Sequence, residues 1–149
     1  MDKYQTFSAN FLAKNASTVR NIIRQTVTLP ASAEALFEMY LDPSVHQAIT
    51  GAPVVIGDDR GAPFQAFNGA LTGTIIDVVP SHLIVQFWRS TEFKADDPDS
   101  ILILSFTPEG NQGRIDVLHL DVPDQDYDGV THGWEKYYWT PWRAYLENR

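Results

Sequence analysis

The sequence predicts a single α+β domain: a curved antiparallel sheet of about six strands around a long C-terminal helix, with two short helices closing one end. Three observations lead there. Period-two segments separated by Gly, Pro and Asp turns follow one another from Ile23 to Leu120. Two short amphipathic stretches sit behind the first of them. The C-terminal stretch changes to a helical period with aromatic residues along one stripe. A chain of 149 residues can bury one sizeable core. Residues 22–149 are therefore assigned to one domain and residues 1–21 to an N-terminal arm.

The elements follow in order. Ile23, Gln25, Val27 and Leu29 alternate with Arg24, Thr26 and Thr28, which predicts a half-buried strand ended by Pro30. Ser32 is placed to cap a helix with Leu36, Phe37, Tyr40 and Leu41 on one face. Asp42-Pro43 stops it and starts a second short helix that runs towards Gly51. The runs PVVIG, PFQAF, LTGTIIDVV and HLIVQFWR then predict successive strands of a meander. After the loop TEFKADDPDS, two more strands, ILILSF and RIDVLHL, are expected to be joined by TPEGNQG. Trp134, Tyr138, Trp142 and Tyr145 recur at helical spacing, flanked by Tyr137 and Leu146. Pro141 lies inside this helix and is expected to make it irregular, because it removes one backbone donor and crowds the preceding turn.

Composition narrows the function classes. The formal charge is −8, so a nucleic-acid backbone and an anionic membrane surface are both unexpected partners. The absence of cysteine excludes disulfides, thiol nucleophiles and thiolate metal sites. The first twenty residues carry no long apolar run, so no signal peptide or membrane span is expected and a cytoplasmic address fits. There is no Walker motif, dinucleotide fingerprint, nucleophile elbow or zinc motif, and no cofactor is expected.

A series of blocks identifies a resemblance. They are Phe67 followed by Gly69 and Gly73; Pro80, Ile84, Val85, Trp88 and Arg89; His119, Val122 and Pro123; and Gly133, Trp134, Tyr137 and Tyr138. In this order the chain resembles the activators of the heat-shock-protein-90 ATPase and their stand-alone homologues, over roughly residues 22 to 148. That family lies within the START-like, helix-grip superfamily. Departures are Phe93 and Lys94 where a Trp-Pro pair usually follows, and Arg114 where a Thr is common. The resemblance implies a helix-grip fold and a possible chaperone partner.

Candidate sites divide by chemistry. Residues 124–135, DQDYDGVTHGWE, match a calcium-loop pattern through Asp124, Asp126, Asp128, Gly129 and Glu135. The preceding VLHLDVP alternates like a strand, however, and an EF-hand needs a helix there. The acidic run is read instead as a solvated helix start placed in the connection before the final helix, where the helix dipole favours negative charge. A strand-loop-helix calcium site stands as the alternative. His119 is expected to point inward with Ile115 and Val117, as a hydrogen-bonded core histidine or as a general base. Gly69 and Gly73 are read as turn or bulge positions. Asp96, Asp97 and Asp99 are read as solvated or as an acidic contact surface. The aromatic stripe suggests a central pocket: Trp134, Tyr138 and Trp142 from the helix facing Leu104, Phe106 and His119 from strands, with Trp88 and Phe67 of undetermined direction. The leading expectation is a non-enzymatic domain for a small hydrophobic or aromatic ligand, with Tyr138 and His119 as polar handles. A co-chaperone homologue is the runner-up. Enzyme chemistry on polyketide-like substrates, known among START-like relatives, is the third reading.

Overall fold

The computed structural model describes residues 21–149. The expected arm over 1–21 lies outside them, apart from Asn21. Six strands form one antiparallel sheet: β1 (Asn21–Leu29), β2 (Pro63–Ala66), β3 (Leu71–Val79), β4 (Leu83–Ser90), β5 (Ser100–Glu109) and β6 (Gln112–Val122). Their order is β1-β6-β5-β4-β3-β2, so β2 to β6 are a meander and β1 returns to pair with the last strand. Helices α1 (Ala33–Leu41) and α2 (Pro43–Thr50) occupy the connection that makes this return possible. The C-terminal helix runs as α3 (Asp124–Gly133), a π-helical turn (Trp134–Trp139) and α4 (Thr140–Glu147). This is the sheet wrapped around a C-terminal helix that the alternation and the aromatic stripe predicted, and the helix-grip fold that the resemblance implied.

Alternation sets the sheet's two faces. Ile84 pairs with Leu104 and Leu104 with Val117, and all three are buried against the helices. One residue along, Val85 pairs with Ile103 and Ile103 with Leu118 on the outer face, each half-exposed. The Ser32 hydroxyl accepts the Ala35 N–H at 3.1 Å and caps α1. Asp42 Oδ1 accepts Ser44 and Val45 N–H groups at 2.9 and 3.3 Å and caps α2, with Pro43 in its first turn. Phe37 of α1 meets Phe106 of β5 edge-on at 5.6 Å.

Three expectations are corrected. PVVIG contributes one isolated bridge, Val55 to Gln65, rather than a strand. TPEGNQG is not a loop: Gly110 and Asn111 alone turn β5 into β6, and Pro108 and Gly113 pair with each other inside the ladder. The final helix begins at Asp124, so the acidic run is its first turn and not the connection before it. Pro123 supplies the extended residue that lets the strand end and the helix start at once.

Gly69 does occupy a turn, with φ +86. Gly73 instead marks a close approach: it pairs in register with Trp88, and a Cβ there would stand 1.8 Å from the Phe87 carbonyl oxygen. The bulge falls at Ile76, between the pairs Ile75–Gln86 and Asp77–Val85. Gly113 is similarly constrained where β6 passes under the start of α1, with a Cβ 2.7 Å from Leu36 Cδ1 and 2.8 Å from Ala31 O. Both positions reject any side chain for reasons of space. Gly73→Ala and Gly113→Ala are each expected to lower stability by at least ~2 kcal/mol, read as a lower urea midpoint at unchanged m-value.

Candidate functional site

A cavity of about 430 Å³ opens between the C-terminal helix and the β2–β3–β4 end of the sheet. From the sheet side it is walled by Phe67 and Ala70 of the β2–β3 turn, by Leu71 at the start of β3, by Trp88, and by Ser90, Thr91 and Glu92 at the end of β4. From the helix it is walled by Asp126, Gly129 and Val130, then by Gly133, Trp134, Tyr137 and Tyr138. The helix residues recur at three and four positions, so one stripe of α3 and the π turn faces the space.

The π turn decides which aromatic rings can be buried together. In an α-helix, Trp134 and Trp139 would be ~140° apart around the axis. Closing the turn over five residues brings them together, and their rings stack at 5.3 Å with planes 17° apart. Trp134, Tyr138, Trp139 and Trp142 are all buried as a result. Irregularity was expected at Pro141, and it is found in the turn just before it. There Thr140 N–H bonds Glu135 O, five residues back, where an α-helix would bond the carbonyl four residues back.

Buried hydrogen bonds fix the cavity's inner wall. His46 Nδ1 donates to the Tyr40 carbonyl at 2.7 Å, so its Nε2 accepts the Tyr138 hydroxyl at 2.9 Å. Tyr40 donates to Gln86 Oε1 at 2.6 Å. Ser100 Oγ donates to the Trp88 carbonyl at 2.6 Å, and so receives the Nε2–H of His119 at 2.9 Å. That leaves His119 Nδ1 without a partner among the described residues, as are Trp134 Nε1, Trp142 Nε1 and Gln86 Nε2. Burial pushes His46 down to about 4, against the smaller opposing pull of its bond to Tyr40, and pushes His119 down to about 3. Burial raises the Tyr138 and Tyr40 phenols.

Of the eight residues expected in a pocket, Phe67, Trp88, Trp134 and Tyr138 line the cavity. Trp142, Leu104, Phe106 and His119 are buried in the packed core beside it. Phe106 lies under α1, and Trp142 stacks on Trp139 at 6.4 Å. His119 sits behind Trp88 and Trp134, at 4.7 and 6.1 Å between ring centres. The polar handles expected at Tyr138 and His119 are engaged internally, by His46 and Ser100. Asp126 and Ser90 supply the cavity's polar end instead, joined at 2.6 Å. Asp126 is only 6% exposed, so the acidic helix start is not wholly solvated. A helix also splays Asp124, Asp126 and Asp128 around its axis, with neighbours in this set ~200° apart, so the calcium-loop alternative loses its converging carboxylates.

Sequence reasoning missed His46 and Ser90, and it named Asp126 and Gly129 for the calcium pattern and Gly133 for the family resemblance rather than for a pocket. A helix started at Asp124 would have revealed Asp126, Val130, Gly133 and Tyr137 as one stripe. The acidic loop also has a structural job. Arg89 pairs with Asp99 at 2.8 Å and donates to the Asp97 and Lys94 carbonyls, while Asp97 Oδ2 receives Lys94 N–H and the Gln125 amide. Among the described residues, no helix is long and apolar enough to cross a membrane.

Known proteins place this arrangement. A family profile described as "Activator of Hsp90 ATPase homolog 1-like protein" matches residues 30–147. The human activator of 90 kDa heat shock protein ATPase homolog 1 is 26% identical over 111 residues, covering 74% of this chain and 32% of the human one. The chain thus spans about a third of that relative's length. Among solved structures, an HSP90 activator from Plasmodium falciparum superposes with TM-score 0.76 at 18% identity, over 85% of this chain and 96% of that one. Ara h 8.0201 superposes with TM-score 0.68 at 11% identity, over 87% and 99%. At these identities the structures share the fold.

The depressed histidines give the stability a pH dependence of definite sign. The unfolded chain takes up protons at each site near the ordinary value of 6.5, whereas the folded chain resists until about 4 at His46 and about 3 at His119. Their contribution is therefore whole above that ordinary value and is lost as pH falls through the interval below it. Asp126, raised chiefly by burial, acts in the opposite sense. The melting temperature is expected to fall on acidification from neutral towards the value of about 4 at His46, and calorimetry on His119→Gln should show a shallower slope.

Proposed function

The chain belongs to the Activator of Hsp90 ATPase homolog 1-like family, and on that premise we propose that it is a non-enzymatic binding domain whose cavity takes up a small hydrophobic or aromatic ligand. The observation that carries this reading is a 430 Å³ space walled by aromatic rings and bordered by two helix glycines. Gly133 is the informative one. A mid-helix glycine costs ~1 kcal/mol relative to alanine, yet no close approach requires it, since a Cβ there would meet nothing nearer than Tyr137 Cδ2 at 3.6 Å. What its absent side chain leaves is room in the cavity. Binding then works by burying the ligand's apolar surface between Trp88, Trp134 and Tyr138. About 200 Å² of such surface is worth roughly 5 kcal/mol before the costs of association. Tyr138 is held by His46, so its ring is in place before a ligand arrives.

A second reading, a co-chaperone that binds heat-shock protein 90 and stimulates its ATPase, is favoured by the sheet's outer face. Phe87, Ile101 and Leu120 form one cross-strand row there and Val85, Ile103 and Leu118 the next, with Phe87 40% exposed. Apolar rows open to solvent suit a protein partner. A cytosolic location goes with either reading.

Fluorescence of N-phenyl-1-naphthylamine separates the two. The native chain is expected to enhance and blue-shift the probe. Gly133→Leu should abolish uptake while melting no lower than the native chain, and Phe87→Glu should leave uptake intact. No enhancement by the native chain, together with stimulation of the chaperone ATPase that Phe87→Glu removes, would replace the ligand-binding reading with the second.

A further inference from the structure

The cavity is apolar along its walls and acidic at one end, and the asymmetry bears on the class of ligand, given the binding function proposed above. Asp126, nine-tenths buried, lines that end. Its Oδ2 accepts the Ser90 hydroxyl, and Ser90 Oγ accepts the Glu92 backbone N–H at 3.0 Å, so the hydroxyl proton is directed to Asp126. A Cβ on Gly129 would stand 3.2 Å from Asp126 Oδ1, so the missing side chain leaves this second oxygen uncovered.

Glu92 lines the same end. Burial raises the Asp126 carboxyl most, the Ser90 bond partly opposes it, and the Glu92 charge adds a smaller rise. Among the described residues, no Lys, Arg or His lines the space. Ion pairs found among the described residues join Arg60 to Asp77, Arg89 to Asp99 and Arg114 to Asp116, and none of these involves Asp126 or Glu92. The buried Asp126 carboxylate and the exposed Glu92 beside it give this end a negative potential that no described wall residue neutralises.

We infer that the ligand is a cationic amphiphile, with a flat apolar body between the rings and a protonated amine seated against Asp126 and Glu92. A fatty-acid-like anion would bring a third negative charge to the same end and is selected against. A neutral ligand gains only the apolar contacts.

The test uses 1-naphthylmethylamine, 1-naphthalenemethanol and 1-naphthoate, similar in size and different in charge, to displace N-phenyl-1-naphthylamine from the full chain near neutral pH. The amine is expected to bind at least about tenfold tighter than the carboxylate, with the alcohol between them. Asp126→Asn, which keeps an oxygen for Ser90, should collapse that ratio. Glu92→Gln, at an exposed position, should narrow it even if the first variant folds poorly. Displacement with no preference for the amine, or a preference that survives both substitutions, overturns the inference while leaving the binding function standing. Failure of the native chain to take up the naphthylamine probe at all overturns both.

Discussion

The C-terminal helix has to bury four large aromatic side chains against one curved sheet, and a regular α-helix cannot do so. Trp134, Tyr138 and Trp142 share an α-helical stripe, but Trp139 would fall well to one side of it. The π turn removes the conflict by lengthening one turn, so that Trp134 and Trp139 stack and Tyr138 stays beside them. Much of the interior is then arranged around this seam. Trp139 reaches Gln25 of β1 through its indole N–H at 2.9 Å, and Gln25 donates to the Thr131 carbonyl at 2.8 Å. The first strand and the last helix, far apart in sequence, are tied at the place where the helix departs from α geometry.

The same irregular turn bounds the cavity. Tyr138 turns its hydroxyl away to His46 of α2 and offers its ring to the space, so the second short helix positions a wall that it does not itself form. On the opposite side the sheet is brought close by Gly73, whose missing side chain lets the β3 backbone press on β4 beside Trp88. The β2–β3 turn adds strain of its own. Phe67 and Asn68 have φ of 53 and 57, a left-handed conformation that is costly for a bulky residue. Its ring is placed edge-on to Tyr137 and Tyr138, at 5.4 and 6.2 Å, where it bridges turn and helix over the cavity.

The fold was legible where a local signal and the tertiary requirement agreed. Ser32 before an amphipathic run, Asp42-Pro43 between two helices, and the inward phase of Ile115, Val117 and His119 are cases where period and capping chemistry decide the outcome. Legibility failed where composition pointed the wrong way. Asp124, Asp126 and Asp128 read as the connection before the final helix, yet helix dipole, Pro123 and a buried Val130 make that segment part of α3. Pro108 and Gly113 read as breakers, but pairing with each other inside a long hairpin accommodates both. The cavity was only partly legible because its polar end depends on contacts remote in sequence. His46 meets Tyr138 across 92 positions and Ser90 meets Asp126 across 36, and no periodicity reports such pairings. Stripe residues were easier to name than to orient: Trp142 shares the stripe but lies beyond the π turn, where it packs on Trp139 outside the cavity.

Four tryptophans divide cleanly between cavity and core, which makes them the most direct reporters of the account. Trp88 and Trp134 line the space, while Trp139 and Trp142 do not. Fluorine NMR of the chain labelled with 5-fluorotryptophan, titrated with N-phenyl-1-naphthylamine, would follow all four at once. The account predicts that the Trp88 and Trp134 resonances move in a saturable way while those of Trp139 and Trp142 hold still. Saturable movement confined to Trp139 and Trp142, or no movement in any of the four, would contradict it.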